Sequence, residues 1–188
     1  MGDRTPRTAG CGWWAGVVLV SAVLWGREGT AQSVPGAAAV GRLRPADTKA
    51  AALLEAGIAR SDTFRSLVKA LEGSDLVIHV ETGVLALPGQ VQFVAATPGA
   101  RYLRVSLRIP GLEDELLPWL AHELWHATEM AAAPEVRSQE ALRAFYDKVG
   151  GSLRAGSNVI VETAGAQRTQ VQVEREIRLN SRRASSKR

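Results

Sequence analysis

Apolar positions along the chain recur first at helical spacing, then at strand spacing, then at helical spacing again. In "ADTKAAALLEAGIARS" (46–61), Leu53, Leu54 and Ile58 share one helical face. "SDTFRSLVKALEGSD" (61–75) repeats the pattern with Phe64, Leu67, Val68 and Leu71. Ser61 or Asp62 is placed to cap this second helix and Gly73 to stop it. The period then drops to two or becomes a continuous apolar run. "LVIHVET" (76–82), "VQFVAA" (91–96) and "ARYLRVSLRI" (100–109) predict three strands, separated by the turn signals "LPGQ" and "TPGA". In the third, Leu103, Val105, Leu107 and Ile109 alternate with Tyr102, Arg104, Ser106 and Arg108, as in a strand covered on one face.

From "PGLEDELLPW" onward helical spacing returns. One helix is expected from about 114–118 to 132, with acidic residues 113–115 at its start. Pro118 argues for a start close to it or for a kink, and Pro134 marks the end. "SQEALRAFYDKV" (138–149) predicts a shorter helix. After "GSLRAGSN", with Ser157 or Asn158 as cap, a long final helix is expected over roughly 159–179. Helices around three short strands make a small α+β domain.

Composition changes the picture at the two ends. Arg4 and Arg7 precede the apolar run "GWWAGVVLVSAVLW" (12–25), and "GREGTAQS" follows it. This is the layout of a signal peptide, with Gly29 and Ala31 at the −3 and −1 positions of a cut after Ala31. The run is short against the roughly 20 residues of a spanning helix. The expected organisation is a signal over 1–31, a Gly/Pro/Ala-rich arm over 32–45, a domain over 46–180 and a basic disordered tail over 181–188. Export to the periplasm or the exterior follows, without stable membrane insertion. The single cysteine, Cys11, lies inside the signal, so the mature chain has no disulfide. Residues 33–180 carry 16 Lys and Arg against 17 Asp and Glu. The basic excess therefore sits at the ends, and no nucleic-acid partner is expected.

The candidate chemistry is in "LPWLAHELWHATEMAAA" (117–133), which holds two of the chain's three histidines. On a helix, His122 and His126 lie one above the other and can aim two ring nitrogens at one metal ion. Zinc suits neutral imidazole and tetrahedral geometry. Glu123, beside the first histidine, is placed to take a proton from a metal-bound water as general base. Uncharged neighbours, Trp119, Leu120, Ala121, Leu124, Trp125, Ala127 and Thr128, suit a helix buried on most sides, where His122, Glu123 and His126 would be costly without partners. His79 sits in an apolar strand and is read as a packed or edge residue. Tyr102 and Tyr146 are candidate oxyanion stabilisers, with packing the alternative, and Trp119 and Trp125 are read as packing.

His122-Glu123-Leu124-Trp125-His126 is an H-E-x-x-H motif, and over residues 119–128 the chain resembles the zincin metallopeptidases. That resemblance implies a motif helix beneath a small sheet of three or four strands, followed by a C-terminal helix. It also implies an edge strand, here "ARYLRVSLRI", that pairs with an extended peptide. Glu129 and Ala132 stand where the metzincin extension needs glycine and histidine, which leaves the gluzincin type with a glutamate as third ligand. Glu162 is the expected ligand. Glu129 is the rival or a supporting partner of His126, because its Cα lies about 7.5 Å along the helix axis from the midpoint of the histidines. Glu140 shares the remaining place with Glu135, Glu174 and Glu176, for which ordinary helix-surface carboxylates are the alternative reading. The implied function is a secreted zinc-dependent hydrolase that cleaves peptide bonds. The alternative is a non-catalytic exported zinc-binding or protein-interaction domain.

Overall fold

A computed structural model of the chain describes residues 41–149, 152–155 and 158–186. The signal peptide over 1–31 and most of the arm lie outside the described residues. The arm nevertheless ends in a strand, β1 (Leu43–Pro45). Then come helices α1 (Thr48–Arg60) and α2 (Asp62–Glu72) and strands β2 (Leu76–Gly83), β3 (Gly89–Thr97) and β4 (Ala100–Arg108). Helices α3 (Glu113–Ala131) and α4 (Gln139–Val149), the short strands β5 (Ser152–Ala155) and β6 (Asn158–Val161) and helix α5 (Ala164–Ser185) complete the chain.

The helices start where the sequence offers caps. Asp47 Oδ1 accepts from Ala50 N–H at 2.8 Å and opens α1, while its other oxygen accepts from Thr82 N–H at 2.8 Å and ties that helix to β2. Ser61 Oγ accepts from Phe64 N–H at 3.0 Å and opens α2. Helix α3 starts at Glu113, so Pro118 sits inside it, beyond the first turn. Starting there lets one continuous helix bury Leu117, Leu120, Leu124 and Ala127.

The main sheet has the order β1-β2-β4-β3. The first three strands run parallel and β3 returns antiparallel to β4. Leu103, Val105 and Leu107 of β4 pack with Ile78 and Val80 of β2 on the covered face. Leu53, Phe64, Leu117, Leu120 and Leu124 from α1, α2 and α3 close this core, joined by Tyr146 of α4 and Val173 and Ile177 of α5. On the opposite face Arg104 and Arg108 are exposed, and so is His79, which is neither packed nor at a sheet edge but stands on the interior strand β2 between Arg44 and Arg104.

Three expectations are corrected here. "ARYLRVSLRI" is an interior strand, flanked by β2 and β3, and among the described residues the edges of the sheet are β1 and β3. The final helix begins at Ala164, not 159, because Asn158–Val161 pairs antiparallel with Ser152–Ala155. The β-branched run Val159-Ile160-Val161 favours that extended form. Residues 181–185 of the expected disordered tail continue α5. A small mixed α+β fold with a four-stranded sheet is what these elements make. The zincin-like reading of that fold is not sustained, for the reason given with the site.

Candidate functional site

Helix α3 buries His122, Glu123 and His126 together, with the motif face turned toward α4, α5 and the start of β3. The two imidazoles meet edge to face, and their Nε2 atoms are 3.2 Å apart in a hydrogen bond. Their outer nitrogens are also engaged. His122 Nδ1 meets Gln170 Oε1 of α5 at 3.0 Å, and His126 Nδ1 meets Glu129 Oε2 at 2.9 Å. A continuous row of close polar contacts thus runs from Gln170 through His122 and His126 to Glu129, with the donor at each step set by the ring tautomers. Burial, and then the neighbouring His126, lower the pKa of His122 against the opposing pull of Glu162. Its ring is neutral at neutral pH.

Glu129 is the hub of the junction between helices. Besides His126, its carboxylate accepts from Trp125 Nε1 at 2.8 Å and Thr163 Oγ1 at 2.7 Å, with Tyr146 Oη at 3.4 Å. Burial alone would raise its pKa, but these hydrogen bonds, led by those from His126 and Thr163, bring it below the ordinary value. Thr163 is also the N-cap of α5, accepting from Ala166 N–H. Gly165 then lies so close against the Trp125 indole that a β-carbon there would collide with it. Glu129 and Trp125 thus fix where α5 starts, and with it Glu162, the residue before the cap. Tyr146, fully buried beside His126 and Glu129, has its hydroxyl pKa raised by burial and by the Glu129 charge, so it remains protonated. Tyr102 lies half-buried on β4.

Glu162 stands at the mouth of this cluster. One oxygen is 3.6 Å from His122 Nε2 and the other accepts from Gln167 Nε2 at 3.1 Å. Glu123 is different in kind. It is 5% exposed, and its carboxylate carries no hydrogen bond among the described residues. A β-carbon at Gly89 would lie 2.7 Å from Glu123 Oε1, so the carboxylate presses on the bare backbone at the start of the edge strand. Burial, with the nearby Glu162 charge adding to it and His126 opposing, pushes its pKa up to about 7.

This geometry overturns the metal reading. Among the described residues no group of three or more His, Cys, Asp or Glu side chains is arranged to hold a metal ion. The inward nitrogens of His122 and His126 bond each other, Glu129 is committed to three other donors, and Glu162 approaches only one ring. Zinc as cofactor, the zinc-dependent hydrolase and metallopeptidase activities, and membership of the zincin or gluzincin group all rested on that ligand set and are withdrawn. The rivals Glu135, Glu140, Glu174 and Glu176 do not supply it either. Glu176 instead accepts from Ser61 and Thr63 at the start of α2. No protein-family model, curated protein or solved structure matches this chain.

Sequence reasoning found the histidines and the two site glutamates but missed Gln170, Thr163, the hydrogen-bonding role of Trp125, and Gly89. The Trp125–Glu129 contact has the four-residue spacing of a helix pair and was open to discovery. The Thr163 cap was hidden by placing the helix start too early. Nothing local marks Gln170 or Gly89, which reach the site only through folding. No described helix is long and apolar enough to cross a membrane.

Proposed function

We propose that the chain is an exported protein-interaction domain that takes an extended segment of a partner protein along the free edge of β3. Glu123 is its polar contact, with His122, His126 and Glu162 around it. The observation that carries this reading is the Glu123 carboxylate: buried, without a hydrogen-bond partner among the described residues, and set against Gly89 at the start of that edge. Among the described residues no fully buried side-chain oxygen or nitrogen lacks a partner, so the unbonded Glu123 oxygens are the part of this side chain that still meets solvent, where a ligand can complete their hydrogen bonds. Among the described residues β3 pairs only with β4, and its other side offers backbone groups to an added strand. A register shift between Phe93 and Ala95 leaves Val94 53% exposed on this strand.

In this reading Glu123 binds and does not activate a water. The row from Gln170 through His122 and His126 to Glu129 holds the floor of the site rigid. Export rests on the signal layout of residues 1–31, and a mature N-terminus within a few residues of Gln32 is expected on protein recovered from its native compartment.

The test is a peptide array probed with the purified protein, followed by hydrogen exchange on the complexes. Binding peptides should protect backbone amides of β3, and alternating N-methylation of the same peptides should abolish binding. Protection that falls elsewhere, with β3 unchanged, would remove the strand-edge reading.

A further inference from the structure

We infer that the segment taken up along β3 carries a basic side chain, a lysine ammonium or arginine guanidinium, seated against the carboxylates of Glu123 and Glu162. This rests on the strand-edge reading and goes beyond it by naming the charge of the ligand. Three observations point the same way. Glu123 is more than nine-tenths buried and unpartnered among the described residues. Glu162, with its side chain 25% exposed, keeps one oxygen free of any hydrogen bond, since His122 Nε2 at 3.6 Å is beyond that range. The described lysines and arginines make their ion pairs elsewhere, at Glu113, Asp114, Asp62, Asp75, Glu81 and Glu174. Beyond Glu129, which is committed to His126, Trp125 and Thr163, the site therefore places two further carboxylates beside two histidines, with no lysine or arginine paired to them among the described residues.

A desolvated carboxylate gains far more from an opposite charge than an exposed one does. A cation brought in on a peptide would supply both the missing hydrogen bonds and the missing charge. Glu123 marks the inner end of the seat, because its oxygen already touches the edge-strand backbone at Gly89. Glu162 marks the open end. A side chain projecting from a strand laid along β3 enters from that side.

The experiment uses the full chain at pH 8 and low salt. It is titrated by fluorescence anisotropy with N-acetylated, C-amidated peptides of alternating apolar residues and one central variable position. The central residue is Lys, Arg, norleucine or citrulline, so the side chain is the only possible cation. Lys or Arg peptides should bind at least about 10-fold more tightly than their neutral counterparts. Glu123→Gln and Glu162→Gln should each reduce that preference, while Glu174→Gln, on the exposed side of α5, should not. Because Glu162 is partly exposed, its variant tests the site even if Glu123→Gln alters the fold. Equal binding of charged and neutral peptides, lost on N-methylation, would overturn the cation while leaving the strand edge standing. Tightest binding by an acidic peptide would do the same. No binding by any peptide would overturn both.

Discussion

Helix α3 meets two buried polar clusters, and they are built on opposite terms. At its C-terminal end is Arg101, 1% exposed, on the inward face of β4. Its guanidinium donates to Asp75 at 2.8 and 2.7 Å and to the carbonyls of Met130, Ala133 and Val136 at 2.8, 2.8 and 3.2 Å. It adds a charged donor to carbonyls at and just beyond the helix end, two of which already accept from backbone N–H groups, and binds them to the sheet. The Arg101 hydrogen bond holds the Asp75 carboxyl below its ordinary pKa. Midway along the same helix is Glu123, almost as buried, with no such partner. One cluster spends its burial on saturation and locks the fold; the other leaves a carboxylate unanswered where a ligand could reach it. Burial by itself therefore does not tell structure from function, whereas hydrogen-bond saturation does.

The largest expected effect breaks the saturated cluster. Arg101→Met should cost about 3–5 kcal/mol, because it strips Asp75 and three carbonyls at once. Urea melts at pH 7 would check this, and a loss under about 1 kcal/mol would mean the clamp is not structural.

Glu123→Gln should do the reverse and stabilise the protein, by about 3 kcal/mol at pH 8. The sign follows from linkage. The folded value, about 7, lies above the ordinary glutamate value of 4.5, so between them the fold holds a proton that the unfolded chain has lost. Stability contributed by the protonated carboxyl is complete below about 4.5 and is lost as pH rises through about 7. The gain from the substitution should therefore vanish near pH 4, and melts at pH 4 and pH 8 compare the two.

Glu129→Gln sharpens the contrast inside the site. Glutamine offers one acceptor oxygen where the carboxylate serves His126, Trp125 and Thr163, and about 1–2 kcal/mol should be lost at neutral pH. The folded pKa of Glu129 is depressed, so this loss should shrink as pH falls below the carboxylate range. Indole fluorescence should report the changed setting of Trp125. The smallest effect is expected from Val94→Lys. At an exposed edge position it should change stability by less than about 0.5 kcal/mol while weakening peptide binding through charge and bulk.

How far the site was legible depended on how local each contact is. His122, Glu123 and His126 declare themselves because one turn of helix brings them together. Helix α2 was equally readable, since Ser61 caps it and Phe64, Leu67, Val68 and Leu71 form an unbroken stripe. The β5–β6 pair was missed because "GSLRAGSN" reads as turn and the following residues fit either period.

The sequence by itself determined which segments bury an apolar face, where most helices begin, and that two histidines and a glutamate share one turn of α3. Those follow from nearest-neighbour geometry. Tertiary structure decided what the shared turn does. Whether His126 meets a metal or Glu129, whether Glu162 reaches one ring or two, and which strand forms the sheet edge all depend on separate elements, "ARYLRVSLRI", "LAHELWHATE" and, more than 30 residues after the motif, "VETAGAQRTQ". A ligand set needs side chains from separate elements to converge within a few tenths of an ångström. No residue spacing encodes that convergence, because the packing of α3, α5 and β3 against one core sets it.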